Sequence, residues 1–297
     1  MEVYTHMSNL ISTNELKGLI PAEMANEIIK DVVSNSAMMR LAKVVPMNAP
    51  TKQFPVELTK AGAYWVGEGQ KITVDKASWA TVELVAKKLA VIVPATKEAL
   101  QDGSINVLQE VKTQIAEAMA GAFDEAALFG TNSPYGENKS IVEIAKQNSK
   151  KLTATNNIIK DLSDVMGLVE EEELEPNAFI ASRALKAELR NAENGAGYSI
   201  FEDKTQDAPA RLHGEPLVFT KNFKKEDAKV ITGDFDKVYV GVLDGIDYQI
   251  STEGTVGDIN LFEQDMVAVR ATMRVAYLVI KDDAFAVVEP SLGKAKK

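Results

Sequence analysis

The stretch SINVLQEVKTQIAEAMAGAFDEAALFG, residues 104–130, decides the architecture. Leu108, Val111, Ile115, Met119, Ala122, Ala126 and Phe129 recur at three- and four-residue spacing, with no proline among them. That spacing predicts a helix over 104–129 with one apolar stripe, ended by Gly130. At 1.5 Å per residue such a helix is roughly 39 Å long, against a mean of roughly 11–12 residues in globular domains. A helix of this length serves as the strut of an elongated subunit.

Working outward toward the C-terminus, MVAVRATMRVAYLVI (266–280) alternates. Val267, Val269, Ala271, Met273 and Val275 fall on one face, and Arg270, Thr272 and Arg274 on the other. The period of two predicts a strand of roughly 50 Å, several times the common length of roughly 5–6 residues. AFAVVEP (284–290) is placed to pair back as a further strand. Arg270 and Arg274 are expected to form salt bridges within or between chains.

Toward the N-terminus the texture between Val44 and Thr96 is strand-like. Two β-prone arms flank Gly62, Gly67 and Gly69, which supply turn chemistry, while Glu57, Lys60, Lys71, Glu83, Lys87 and Lys88 deny either arm a clean apolar face. A hairpin without its own one-sided core suits lying on a neighbour. Trp65 and Trp79 are the only two tryptophans, and both fall on this hairpin. Each either packs in its own core or anchors a contact between subunits, where tryptophan is enriched. The first twenty residues show no clear period and are read as an arm. Pro21 then opens a short helix carrying Met24, Ile28, Ile29, Val32 and Val33 up to Ser34 and Asn35. Between the strut and the last strand come a helix over 157–173, a buried strand in EPNAFIAS and a helix capped by Ser182. A long Gly/Pro-bearing loop follows, then the short strands LVFT, KVITGDF, KVYVGVL and IDYQIST. Strands bunched late, and not alternating with helices, indicate an α+β class.

Composition excludes several chemistries. With 297 residues, no cysteine and two histidines, the chain holds no disulfide framework, thiolate metal site or cysteine nucleophile, and a histidine-rich metal site is all but ruled out. Its 33 basic and 43 acidic residues leave a net charge of −10, which opposes broad attraction to nucleic acid or anionic membrane. No signal peptide or membrane-length apolar run is visible, so a soluble cytoplasmic product is expected. The G-x-G tripeptides at Gly67–Gly69 and Gly195–Gly197 lack the strand–turn–helix setting of a phosphate cradle. His213, in RLHGEP, has no nucleophile motif to serve. The run Glu170–Glu173 points its carboxylates in different directions and is expected to be a solvated face. Asp234 and Asp236, expected to share one strand face, form a common surface pattern rather than a metal pair. No catalytic, cofactor or metal site is expected.

The order of arm, long hairpin, long helix, αβ region and very long terminal strand resembles the major capsid protein of tailed bacteriophages, the Hong Kong 97-type fold. The resemblance covers almost the whole chain. AGAYWVGEGQKITVDKASWATVEL (61–84) resembles the family's extended hairpin with its glycine-rich tip. KKLAVIVPATKEALQDG (87–103), followed by the strut closing in DEAALFG and then SPYGENKSI, resembles the return strand entering the spine helix. AFIASRALKAELRNAENGAGYSIF (178–201) resembles the central strand, helix and loop, and 211–223, 230–251 and 261–290 resemble the remaining strands. The wording is most similar to phages of Gram-positive hosts.

The resemblance implies an arm and short helix at 1–43, an extended loop at 44–95 and the spine helix of a peripheral domain at 96–130. It implies an axial domain at 131–247 and long strands returning to the peripheral domain at 248–297. Subunit contacts are expected at Trp65, Gly67, Glu68, Gly69, Lys71, Trp79, Arg270 and Arg274. The implied function is self-assembly of pentamers and hexamers into an icosahedral shell, with the extended loop overlapping an adjacent subunit. Implied partners are the chain itself, a portal protein and packaged double-stranded DNA held without sequence preference. The shell fold starts within the first few tens of residues, so a separate scaffolding protein is expected in place of a fused one. Some relatives cross-link a lysine to an asparagine; Lys60 and Lys71 lie on the hairpin, but no asparagine partner or glutamate catalyst can be assigned, so no cross-link is expected. The alternatives are an encapsulin, a nanocompartment shell with the same fold, and a soluble enzyme of an unrelated α+β fold with a deep pocket. The virion, and the host cytoplasm during assembly, are the expected locations.

Overall fold

The strut forms because its apolar residues sweep one arc of the helix, and its end is set by a glycine. In the computed structural model, which describes residues 31–59, 78–98, 107–155, 157–192, 199, 201–203, 205 and 209–291, it spans Val107–Phe129. Ile115, Ala116, Met119, Ala120 and Phe123 are buried on that arc; Ala122, expected among them, lies at its margin and is exposed. The last turn, Ala126–Phe129, is buried all round. Gly130 then adopts φ +73, and the Thr131 N–H reaches back to the Glu125 carbonyl at 3.3 Å, closing the helix with a left-handed cap. A Cβ at Gly130 would stand 2.7 Å from the Glu143 carboxylate, so an L side chain there is both strained and crowded.

We number the strut α2. The other helices are α1 (Ala37–Leu41), α3 (Ile141–Gln147), α4 (Ile158–Glu170) and α5 (Lys186–Arg190). Residues 31–35 are helical and stop before Ser36, where the sequence reading ends the helix; α1, beyond that break, was not expected. Asp124 of α2, buried, accepts from the N–H groups of Ala37 (2.8 Å) and Met38 (3.2 Å) and so caps α1 from across the chain. A capping box of Ser140 and Glu143 starts α3, and Asn157 caps α4. Ser182 caps a single 3₁₀ turn (Arg183–Leu185), accepting from the Ala184 N–H at 3.3 Å, and α5 follows directly from that turn with no side-chain cap of its own.

The strands are β1 (Lys43–Met47), β2 (Thr51–Thr59), β3 (Ser78–Val85), β4 (Lys87–Thr96), β5 (Lys151–Thr153), β6 (Ala178–Ser182), β7 (Phe201–Glu202), β8 (Arg211–Leu212) and β9 (Glu215–Thr220). There follow β10 (Val230–Gly233), β11 (Val238–Ser251), β12 (Thr255–Val256), β13 (Ile259–Asn260), β14 (Met266–Val279) and β15 (Phe285–Glu289). KVYVGVL and IDYQIST, expected as two strands, run on as the single 14-residue β11. Its neighbour β14 also has 14 residues, and the two lie side by side in a sheet of order β1-β11-β14-β4. On β14 the expected apolar face is buried and Arg270 and Arg274 are exposed; Ala268 and Ala276 are buried on the opposite face as well.

The chain divides into two compact units: the described residues among 1–36, 88–122 and 244–274, and those among 37–87, 123–243 and 275–297. The second contains a seven-stranded mixed sheet of order β5-β15-β10-β6-β9-β8-β7. α4 and β15 pack together over its core, where Leu162, Val165, Phe179, Leu189, Leu212 and Val230 are fully buried or nearly so. β15 pairs antiparallel with β10 and parallel with β5, so it does not fold back on β14. The reason is composition: five apolar-rich residues with four fully buried suit the interior of a two-sided sheet, not an exposed edge. The first unit contains the hairpin β12–β13, β4 from Lys88, β11 from residue 244 and β14 up to Arg274.

Candidate functional site

The candidate site is a contact surface, and its first element is the base of the hairpin. β2 and β3 pair antiparallel from Thr51↔Val85 to Thr59↔Ser78, with a register shift between Glu57 and Thr59. Ala86 interrupts the return arm, its N–H bonded to the Pro50 carbonyl at 2.8 Å, and β4 then joins the sheet of β14 instead. Likewise β1 pairs parallel with β11 and carries Pro46, which an edge strand tolerates. Of the extended loop expected at 44–95, the described residues Thr51–Thr59 and Ser78–Val85 pair as a hairpin, while β1 and β4 belong to another sheet.

The pairing reveals a face that the charge pattern hid. Phe54 and Val82 face one another half-buried, and Leu84 is fully buried; Leu84, Met47, Leu243 and Ala276, with Phe54 packed against them, make a small core at the hairpin base. Phe54 also stacks on Tyr239 at 5.4 Å. On the other face Gln53, Pro55, Thr81, Glu83 and Trp79 point outward, and Gln53 donates to Glu83 at 2.6 Å. Trp79 is 63 % exposed, so the reading that it packs in its own core does not hold. Trp65, Gly67, Glu68, Gly69 and Lys71 lie outside the described residues, as does Lys60. Arg270 and Arg274 are exposed, and Arg270 is hydrogen-bonded to Gln249. Trp79 and the two arginines belong to different units.

Enzyme-like chemistry finds no assembled constellation among the described residues. His213 sits with Gly214 in the two-residue turn between β8 and β9, at φ +50 and +87, and partial burial lowers its pKa from 6.5, leaving it neutral at pH 7. Asp234 is not on a shared strand face with Asp236. It caps a 3₁₀ turn (Phe235–Lys237) by accepting from the Asp236 N–H at 3.1 Å and from the Asn177 amide at 3.3 Å. In the acidic run, Glu172 leaves the solvated face to meet the buried Lys150 ammonium at 2.8 Å, which holds its carboxyl below the usual range. No group of three or more His, Asp or Glu able to hold a metal occurs among the described residues. A cleft of about 470 Å³ in the second unit is lined in part by Glu83, Lys87, Tyr135, Lys139, Tyr277 and Asp282. Burial pushes both phenols far above their ordinary value, and Tyr135 donates to the Val275 carbonyl, so neither serves as a base near neutral pH.

Sequence reasoning missed Asp124 as the cap of α1 and Phe262 as an exposed aromatic, 80 % accessible. A lone aspartate on a helix and a lone aromatic in a turn carry no periodic signal. The acidic, glycine-bearing stretch around Phe262 was the available hint.

Residues 17–289 match the pattern of the phage capsid family. The chain is 37 % identical over 298 aligned residues to the major capsid protein of Staphylococcus phage 80alpha, covering 95 % of this chain and 88 % of that one. Among solved structures it is similar to a chain from Microbacterium phage Oxtober96, with TM-score 0.74, 28 % identity and coverage of 95 % and 99 %. The capsid of an empty GTA particle shares the fold at TM-score 0.60 and 15 % identity, over 86 % of this chain and 90 % of that one.

Proposed function

The chain belongs to the phage capsid family, and from that premise we propose that its hairpin and its long strands are the elements by which one copy holds the next. It is a structural protein of the virion, the major shell component of a tailed phage with the Hong Kong 97-type fold, and copies of it assemble into an icosahedral shell. The 80alpha relative is a phage major capsid protein, which favours this reading over the nanocompartment shell and over the soluble enzyme.

In the proposed division of labour, α2 and the long strands form the peripheral domain and residues 131–247 the axial domain of pentamers and hexamers, joined there by β15. The hairpin overlaps an adjacent subunit through Trp79 and the tip residues Trp65, Gly67, Glu68, Gly69 and Lys71, with Arg270 and Arg274 as further contacts. The observation that carries this reading is Trp79, held outward on a paired strand while the opposite face of the hairpin is packed. A large exposed aromatic on a rigid strand is a low-entropy anchor for a partner. Assembly proceeds in the host cytoplasm with a separate scaffolding protein and a portal protein, and the shell encloses double-stranded DNA. The net charge of −10 suits a container that does not grip its contents.

Negative-stain microscopy of the expressed full chain tests the reading. Shells, capsomers or tubes are expected; compact small particles alone would overturn it. Denaturing electrophoresis of mature particles should give a single band, and a covalent ladder would refute the absence of cross-links.

A further inference from the structure

We propose that the edge of the seven-stranded sheet at which β5, β6, β9 and β15 end is the surface by which this chain meets the phosphate backbone of duplex DNA. The inference rests on the capsid reading and names a surface to which that reading gives no role.

Topology gathers that edge. β10 runs antiparallel to both β6 and β15, while β9 runs parallel to β6 and β5 parallel to β15. β5, β6, β9 and β15 therefore end at one edge, with Ser182 opposite Thr220 and Glu289 opposite Thr153. The carboxyl ends of like-directed strands are where open sheets with flanking helices carry ligands. A cleft of about 290 Å³ lies there, lined in part by Ala154, Ala184, Lys225, Lys229, Pro290 and Ser291, so the segments leaving all four strands share one surface.

Charge is sorted along the strands. Residues 183–190 and 221–229, which follow β6 and β9, carry seven lysines or arginines and three carboxylates, in a chain of net charge −10. Lys229 is neutralised by Glu188 at 2.7 Å, and Lys186 and Arg190 by Asp203. Arg183 and Lys225 are exposed and meet no carboxylate among the described residues. After Ser291 the sequence adds Lys294, Lys296 and Lys297 and no acid. Those six residues reach at most about 20 Å, so their charges act at the same edge. The opposite edge is acidic. Gly233 ends β10 opposite Ala178 and Phe285, which open β6 and β15, and the adjoining chain carries the run Glu170–Glu173, Asp234, Asp236, Asp282 and Asp283. α4 reinforces the polarity: its N-terminal end follows β5 at the basic edge, and its C-terminal end carries Glu170. Acids at a helix C-terminus cost stability, so folding alone does not explain the arrangement. A polyanion accounts for it, drawn to one edge and repelled from the other, while the net charge keeps the hold weak. A second copy's acidic edge is a poorer occupant, already compensated where Lys150 meets Glu172 and Lys237 meets Asp234. A duplex instead offers an uncompensated charge about every 1.7 Å.

The test measures, by fluorescence anisotropy, how a labelled duplex of about 30 base pairs binds the dilute full chain as salt is raised. Arg183, Lys225 and the three tail lysines make about five phosphate contacts, so affinity should fall about 500-fold between about 50 and 200 mM salt. R183E/K225E, which alters exposed side chains and should melt as the parent does, should lose only about 40-fold over that range and bind more weakly at its low end. K87E/K139E makes the same charge change elsewhere in the unit and should bind within about threefold of the parent. Equal weakening in both variants would show a response to net charge alone and overturn the proposal. In parallel, the chain is expressed with its neighbouring head genes, and DNA-filled and DNA-emptied particles are treated with an amine-acetylating reagent. Protection of Lys225 in the filled particles, read by mass spectrometry, is expected; equal labelling overturns the proposal while leaving the capsid reading intact. Unchanged duplex binding by R183E/K225E together with lost association of its subunits would overturn it in favour of contact with a second copy. Absence of particles with the unaltered chain would instead sink the capsid reading itself.

Discussion

Replacing Trp79 by serine is expected to weaken capsomer formation while leaving the subunit as stable as before. A tryptophan carries up to about 250 Å² of surface, of which 63 % is accessible here, or about 160 Å². Covering all of it on a neighbour at about 25 cal/mol per Å² is worth about 4 kcal/mol, and covering half about 2 kcal/mol. If each subunit lays one hairpin on its neighbour, the loss counts once per subunit. The concentration at which purified chains associate should then rise by about 30- to 700-fold. Sedimentation velocity over a dilution series of W79S and the parent chain measures the shift, and a thermal melt of the dilute subunit supplies the control. An association midpoint within about threefold of the parent would refute the contact role. A melt lowered by several degrees would show that Trp79 packs within its own chain.

Four further expectations concern the frame that carries these surfaces. A Cβ on Gly241 would collide with Met47 Sδ and lie 2.9 Å from Leu84 Cδ2 and 3.1 Å from Ala276 Cβ, so G241A should destabilise the hairpin base by about 1–3 kcal/mol, read as a lowered melting point; an unchanged melt would contradict the packing. D124A removes the cap of α1, worth about 1–2 kcal/mol, and strands two buried N–H groups, so amide exchange at Ala37 and Met38 should quicken about a hundredfold, with D124N between; equal exchange in all three would refute the cap. The Glu172 carboxyl, bonded to Lys150, titrates below its ordinary 4.5, so the stability it adds is complete above that value and lost as pH falls through its folded pKa. His213 is likewise lowered from 6.5 by burial and adds stability that is present above 6.5 and lost on acidification. NMR titration of both groups checks the directions, and a midpoint at or above the ordinary value for either would contradict its assignment.

Periodicity carried far through this chain wherever one element presents one face to one environment. α2 ends at Gly130 as expected, because a left-handed cap is a property of local backbone chemistry. Ser182 and Asn157 act as caps for the same reason. The hairpin was harder. Its charges masked the alternation of Phe54, Val82 and Leu84: Lys52, opposite Leu84 in the register, holds its ammonium over the Phe54 ring. The break at Ala86, which sends β3 and β4 to different sheets, has no sequence marker.

By itself, then, the sequence determined the element types, the absence of thiol chemistry and the order of parts that marks the family, because helix and strand periods, caps and composition are local quantities. Only the tertiary structure decided that β15 joins β10 and β5, that Asp124 caps a helix more than eighty residues away, that Trp79 and Phe262 face outward, and that Glu172 serves Lys150. Each of these depends on which distant segment occupies the adjoining space, and a one-dimensional pattern does not contain that neighbour.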